Sequence, residues 1–400
     1  MSPNLPHPLW KELNSIVQKQ EPEIRSLRRY LHQHPEPSNE EYETTNKVAG
    51  ILKEEGIDHQ IAPSGRGLVA NAAYQNGKKR IALRADMDAL RIQDEKKVDY
   101  RSTKANLMHA CGHDAHTSML VGAVKALAEF ERRHPKVLTW RAIFQPAEET
   151  ATGALEMIGW GVMQDVDAVF GLHVDPFLST GQVSSRPGPL SAICEEFEIT
   201  IQGRGGHGAR PHQTIDPIAA GTQLVNQIYE QLPRQVEEPE PSVVSIGVFQ
   251  AGINSNVIPE SAKLRGTIRS ITEARSAQIK DRIQEIATNV EQATGATIVF
   301  ERRYHLPSVT NNPDLLETWM NLAAQLCGEE QVIRMDRPTM GGEDFAYYLN
   351  HAPGCMLRLG VGKPGGPTRG LHSAHFDIDE NALVLGSQLL ALCALTTATN

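Results

Sequence analysis

Ile81-Ala82-Leu83-Arg84-Ala85-Asp86-Met87-Asp88 is the stretch on which the fold turns. Five mostly apolar residues, too few for a helix, read as a buried strand, and Asp86-Met87-Asp88 ends it. Working outward, Asp114 to Arg133 carries apolar residues at 115, 119, 120, 123, 124, 127 and 128, a helical period. Val137 to Phe144 is rich in β-formers and stops at Gln145-Pro146. Val166 to Leu172 is another buried strand, expected to stop at His173 and Pro176. Strands alternating with helices predict an α/β layer with a mostly parallel sheet.

The middle of the chain has a different rhythm. Phe197, Ile199 and Ile201 alternate with polar residues, and Asp216-Pro217 caps a helix running to about Leu232. Strands follow at 242–249 and 262–270. Thr272 then opens a long helix ending at Gly295, and 296–304 is a last strand. The order βαββαβ is the ferredoxin-like pattern. The α/β rhythm returns with a helix from Asp314, a strand near 356–359 and a closing helix from Asp379. The expected fold class is therefore α/β, a catalytic domain at 1–192 and 308–400 interrupted by a ferredoxin-like domain at 193–307.

Composition narrows the function. A chain of 400 residues, 40% hydrophobic and 22% charged, has room for a large core and is not disordered in character. A net charge of −9 argues against nucleic acid and against an anionic membrane surface, because both reward clustered Lys and Arg. Met1 to Trp10, with three prolines and no apolar core, does not read as a signal peptide, and no run approaches a membrane span. Five cysteines at 111, 194, 327, 355 and 393 have no paired spacing and read as reduced thiols, so a cytoplasmic location is expected.

Four segments carry chemistry, each where a strand gives way to a loop or helix, the ligand-binding edge of open α/β sheets. Met108-His109-Ala110-Cys111-Gly112-His113-Asp114-Ala115-His116 can turn a thiolate and an imidazole, two apart across a glycine, toward one metal ion. Gln145-Pro146-Ala147-Glu148-Glu149 offers two adjacent carboxylates. One suits a metal, and the other suits proton transfer from an attacking water to a leaving amine. Gly171-Leu172-His173-Val174-Asp175-Pro176 sets a histidine at a strand tip, and Gly370-Leu371-His372-Ser373-Ala374-His375-Phe376 adds two in a loop. Taken singly, each has a plain structural explanation: a buried thiol, a solvated acidic turn, a satisfied loop histidine. Together they supply enough donors for one metal ion or a bridged pair, with zinc, manganese, cobalt and nickel all compatible.

With these residues the chain resembles the aminoacylase/carboxypeptidase group of dinuclear metallopeptidases. It looks most similar to the branch of hippurate hydrolases, N-acyl-amino-acid amidohydrolases and indole-acetyl-amino-acid hydrolases. The resemblance extends from Leu31-His32-Gln33-His34-Pro35-Glu36 to the His372–Phe376 loop, through Arg84-Ala85-Asp86-Met87-Asp88-Ala89-Leu90 and Met340-Gly341-Gly342-Glu343-Asp344-Phe345. It implies a metal-dependent amidohydrolase that removes the acyl group of a small-molecule N-acyl amino acid by attack of a metal-bound hydroxide. The cofactor would be two divalent ions per subunit, Mn2+ or Zn2+ foremost, with Co2+ or Ni2+ compatible. Their ligands would be Cys111 (bridging), His113, Glu149, His173 and His372, with His375 the rival of His372. Glu148 would be the general base and acid, and Asp88 would orient a ligand histidine. The inserted domain would act as lid and as the interface of a homodimer or homotetramer. From Gly205-Gly206-His207-Gly208 it would bring His207 to the oxyanion of the tetrahedral intermediate. Asn256 and Arg269 are expected to bind substrate, the arginine through the substrate carboxylate.

Other readings carry less. Glycine-rich runs at 203–208 and 360–365 match a dinucleotide pattern, yet neither enters a helix directly, and Pro211 and Pro364 spoil the continuation. No Gly-x-Ser-x-Gly elbow occurs. A cysteine hydrolase built on Cys111 would have no need of Glu148-Glu149 or His173. A dipeptidase or carboxypeptidase on the same fold is the alternative activity, and a non-catalytic binding protein a more distant one.

Overall fold

The fold is that of a computed structural model describing residues 8–399 apart from 73–76, 136, 233, 236–239, 364 and 367. Pro364, used above against the second glycine-rich run, lies outside the described residues. The chain divides into two compact units. The larger comprises residues 1–190, 309–337 and 344–400, and the smaller 191–308 with 338–343. Pro338–Glu343, expected in the second catalytic segment, thus clusters with the smaller unit. Ala192 N donates to Gly341 O (3.1 Å) and Arg269 Nη1 to Met340 O (2.6 Å).

In the larger unit eight strands form one sheet. Their order is His59–Ile61, Leu68–Asn71, Thr139–Gln145, Arg80–Asp86, Ala168–Ser179, Gly354–Gly362, Val183–Ser185 and Val332–Arg334. The four central strands are mutually parallel, and antiparallel pairs flank them. Every residue of Arg80–Asp86 is buried, as a strand covered on both faces requires. Parallel direction brings Asp86, Gln145 and the end of Ala168–Ser179 to one edge of the sheet. That last strand runs past His173 and Pro176 to Ser179, contrary to the stop expected there. Pairing jumps from Asp175 with Gly360 to Ser179 with Gly362, so Pro176 falls in a bulge, where a missing N–H costs no ladder bond.

The helix His113–Arg133 and the closing helix Ala382–Thr399 pack together in the core, where Ser387 Oγ donates to Met119 O at 2.9 Å. Among the described residues, Ala382–Thr399 alone is long and apolar enough to cross a membrane by length and composition. It is nonetheless 67% buried inside the structure, as a core helix is. Three helices not anticipated from the sequence, Pro8–Lys19, Glu21–Gln33 and Tyr42–Glu54, precede the first strand.

The smaller unit holds an antiparallel sheet in the order Arg234–Gln235, Ser242–Ala251, Ser261–Ser270, Ile193–Gln202, Thr297–Leu306. Apart from the short edge strand this is the ferredoxin-like arrangement, with the first strand between the third and fourth. Phe197, Ile199 and Ile201, the alternating residues of the sequence, are fully buried. They pack against Leu224 and Ile228 of the helix Pro217–Gln231 and Ile283 and Val290 of Glu273–Thr294. The expected caps are made: Asp216 Oδ1 accepts from Ile218 N at 2.8 Å and Thr272 Oγ1 from Arg275 N at 3.2 Å.

Candidate metal centre

Cys111 and His113 are separated by the turn that starts the helix His113–Arg133. Gly112 makes the turn with φ +90°, and a Cβ there would lie 2.4 Å from Val174 Cγ2, so only glycine fits. His113 Nδ1 lies 2.9 Å from Asp88 O and 3.0 Å from Asp88 Oδ1. Two acceptors at that nitrogen make it a donor, so Nε2 is the nitrogen that would turn a lone pair to a metal ion. Nε2 is buried without a hydrogen-bond partner among the described residues, 3.9 Å from Glu148 Oε2 and 4.0 Å from Glu149 Oε1.

The two glutamates sit on a tight turn leaving the strand Thr139–Gln145. Ala147 has φ +51°, and its N–H donates to Glu41 Oε1 at 2.7 Å. Glu149 N donates to Asp88 Oδ2 at 3.0 Å, so Asp88 holds His113 with one oxygen and the glutamate turn with the other. Glu149 Oε1 is a second buried atom without a hydrogen bond among the described residues, and His372 Nε2 stands 3.4 Å from it. His372 itself has φ +62°, its N–H donating to Ala110 O at 2.8 Å, which joins its loop to the cysteine segment. His173 Nδ1 is 2.8 Å from Val174 O, which turns Nε2 toward Cys111 Sγ at 3.6 Å.

Among the donor groups that overlap here are three: Cys111, His113 and His173; Cys111, Glu149 and His372; His113, Glu148 and Glu149. Cys111 belongs to the first two. Two other histidines of the motifs are engaged elsewhere. His375 Nε2 pairs with Glu95 at 3.2 Å. His116 is bound by Asp86 at 2.6 Å and by Val174 N at 2.9 Å. His109 is buried with neither ring nitrogen hydrogen-bonded among the described residues, and burial pushes it down to about 4.

The electrostatics suit a cation. Burial pushes the Cys111 thiol up to about 12, with His113 pulling the other way. Burial also opposes charge on His113, yet Asp86, Cys111 and Asp88 outweigh it and carry the imidazole well above its ordinary range. Burial, then His116 and Arg358, hold His173 well below its usual value, and the Glu149 carboxylate beside it raises His372. Cysteine, imidazole and carboxylate side chains, with His113 Nε2 and Glu149 Oε1 buried, fit a divalent ion that takes the place of their protons.

Behind these donors is a buried network that the sequence reading did not assign. Arg84 donates to Gln145 Oε1 (2.8 Å), Asp86 Oδ2 (2.7 Å) and Asp344 Oδ1 (2.7 Å). Ser38 Oγ adds a 2.6 Å bond to Asp88 Oδ2. Arg84, Asp86 and Asp344 lie in segments quoted above for the resemblance, but no local pattern marks a charged residue as a brace. In the smaller unit His207 and Asn256 are neighbours. Gly206–His207 pairs with Val257–Ile258, and Gly208 N donates to Asn256 O at 2.8 Å. Arg269 lies apart from them in its strand, its Nη1 bonded to Met340 O and, at 3.2 Å, to Cys194 Sγ.

An α/β sheet with cysteine, imidazole and carboxylate side chains gathered beside its parallel strands, in a chain interrupted by a ferredoxin-like insertion, is the scaffold of a metal-dependent hydrolase of amide C–N bonds. The chain belongs to peptidase family M20/M25/M40, whose model matches residues 82–396. It is 38% identical to an N-acetylcysteine deacetylase of Bacillus subtilis, covering 92% of this chain and 95% of that one. It is 36% identical to thermostable carboxypeptidase 2 of Saccharolobus solfataricus, over 97% and 98% respectively. A Bacillus subtilis crystal structure described as a dinuclear metal-binding peptidase of the M20 family superposes with a TM-score of 0.83 at 34% identity, covering 95% and 99%. The donor clusters and this relative agree on a site for divalent metal.

Proposed function

We propose that this protein hydrolyses the amide bond of N-acyl amino acids, releasing the acid and the free amino acid. The observation that carries the proposal is the convergence of Cys111, His113, Glu149, His173 and His372, with His113 Nε2 and Glu149 Oε1 buried and without hydrogen bonds among the described residues. These five residues would hold two divalent ions, manganese or zinc, with Cys111 common to both. When bound, the ions would acidify a water and polarise the amide carbonyl.

The remaining chemistry belongs to the chain. Glu148 takes a proton from the attacking water and passes it to the departing amide nitrogen, so that the amine leaves neutral. Asp88 keeps the proton of His113 on Nδ1. His207 donates to the oxyanion that develops on the carbonyl, a contribution of about 3–4 kcal/mol for such donors, and Asn256 binds substrate beside it. Arg269, with Nη1 occupied, offers the rest of its guanidinium to the substrate carboxylate. The protein would work in the cytoplasm as a homodimer or homotetramer assembled through the smaller unit.

The deacetylase relative supports the acyl-amino-acid reading, and the carboxypeptidase relative supports a second one, cleavage of a C-terminal peptide bond. Amino acid release from N-acetyl- and N-benzoyl-amino acids, against release from dipeptides, with Mn2+ and with chelator, separates the two. Chelator-sensitive release from the acyl substrates supports the proposal. Release from peptides alone supports the second reading, and release from neither with metal bound leaves a binding protein.

A further inference from the structure

We propose that Glu41 is a positioning residue for the hydrolysis, holding the turn that aims Glu148 and Glu149; this rests on the roles given to those two residues above. The turn is conformationally costly. Pro146 follows the strand, and Ala147 adopts φ +51°, a left-handed conformation that a residue with a Cβ keeps only when its surroundings enforce it. Two carboxylates do the enforcing. Glu41 Oε1 accepts from Ala147 N at 2.7 Å, before the pair, and Asp88 Oδ2 accepts from Glu149 N at 3.0 Å, within it. The same Glu41 oxygen takes Asn39 N at 3.0 Å, which ties it to its own loop.

Glu41 is an expensive way to hold a turn. It is fully buried, and its Oε2 has no hydrogen-bond partner among the described residues. Burial, followed by the negative charge of Asp88, pushes it up to about 7. The carboxylate sits where it fixes the backbone N–H one residue before Glu148, and displacement of a catalytic group by about 1 Å can cost about a hundredfold in rate.

Three variants test this at saturating Mn2+. Glu41→Gln keeps an acceptor for Ala147 N and should stay within about threefold of wild type. Glu41→Ala should lower kcat about ten- to a hundredfold, with KM and metal stoichiometry little changed. Glu41→Ala with Ala147→Gly should recover most of the loss, because glycine adopts the turn without help. A Glu41→Ala enzyme with undiminished kcat, or a double variant no better than it, would overturn the proposal. If Glu41→Ala does not fold, Glu41→Met, which fills the space without an acceptor, replaces it in both comparisons. Amide exchange at Ala147 tests the contact whatever the substrate. It should accelerate at least tenfold in Glu41→Ala and not in Glu41→Gln, and unchanged protection would overturn the proposal even in a protein without amidohydrolase activity. An inactive wild type with normal metal content would instead count against the proposed function.

Discussion

Gly112 sets the distance between the thiol of Cys111 and the imidazole of His113. A methyl group there meets Val174 Cγ2 at 2.4 Å in a backbone of φ +90°, so clash and strain add. Gly112→Ala should destabilise the chain by at least about 2 kcal/mol and weaken metal binding, as urea denaturation and metal titration would reveal. Val174→Ala should return the part due to the clash and none of the part due to φ. Glu148 makes the opposite case, a residue whose loss should spare the fold. Glu148→Ala should cut turnover by about 100-fold or more with metal content intact, and metal loss in this variant would instead make Glu148 a ligand. Glu41 carries a pH signature. Its carboxyl is raised to about 7 from 4.5, so between these values the folded chain holds a proton that the unfolded chain has released. Stability from this group therefore falls as pH rises through that window and is level above it, by up to about 3 kcal/mol. Glu41→Gln should gain stability over wild type on going from pH 5 to pH 8. An unchanged difference in urea midpoints at the two pH values would contradict the raised carboxyl.

At the scale of elements, the ends of the parallel strands are tied together by Arg84. It is buried, and bonds from it reach Gln145 at the end of one strand, Asp86 at the end of its own, and Asp344 after the Met340–Glu343 run. Burial works against charge on Asp86, but His113, His116 and Arg84 more than offset it and hold the carboxyl well below its usual range. Arg84→Ala would leave two buried carboxylates short of their cation and should cost about 3–5 kcal/mol in thermal or urea unfolding. Arg84→Lys should recover little, since an ammonium cannot reproduce the planar fork. This network also marks where sequence reading stops. The Arg80–Asp86 strand, the His113–Arg133 helix and the whole βαββαβ order were legible because apolar periodicity is local. The candidate donors stood out by residue type, although His173 lies inside its strand and His372 in a loop rather than at an element end. The contacts that aim them did not. Ser38 and Glu41 reach Asp88 and Ala147 from a loop without periodic pattern, and the Glu41 bond is to a backbone N–H that no side chain advertises. Pro176 signalled a strand end because the bulge that absorbs it is made by a partner strand almost two hundred residues later in the chain. Pro338–Glu343 looked like part of the α/β segment around it, and long-range contacts, bonds to Ala192 and Arg269 among them, assign it to the smaller unit.

For the molecule as a whole, the division into two units has a thermodynamic consequence. Each has its own core. That of the smaller unit is built wholly from residues between Phe197 and Ala296, and every donor in the three overlapping metal groups lies in the larger unit. A ligand that binds only the native state stabilises whatever must be folded to bind it, by about 2.7 kcal/mol when free ligand is a hundred times its Kd. Divalent metal should therefore raise the unfolding temperature of the larger unit and leave that of the smaller unit nearly where it was. The gain should also shrink on acidification. Cys111 rests at about 12 and His113 well above its normal range, so metal must displace protons that become harder to remove as pH falls. Calorimetric scans of the full chain in Mn2+ and in chelator, at pH 8 and pH 6, would separate these effects. The expected record is two transitions in chelator, one of them moving up with metal and moving further at pH 8 than at pH 6. A single transition that shifts as one would mean that the two units unfold together, and the stabilisation from the metal site would then extend to the smaller unit as well. A metal-dependent shift equal at both pH values would instead mean that metal binds without taking the place of a proton, which would remove Cys111 and His113 together from the set of donors.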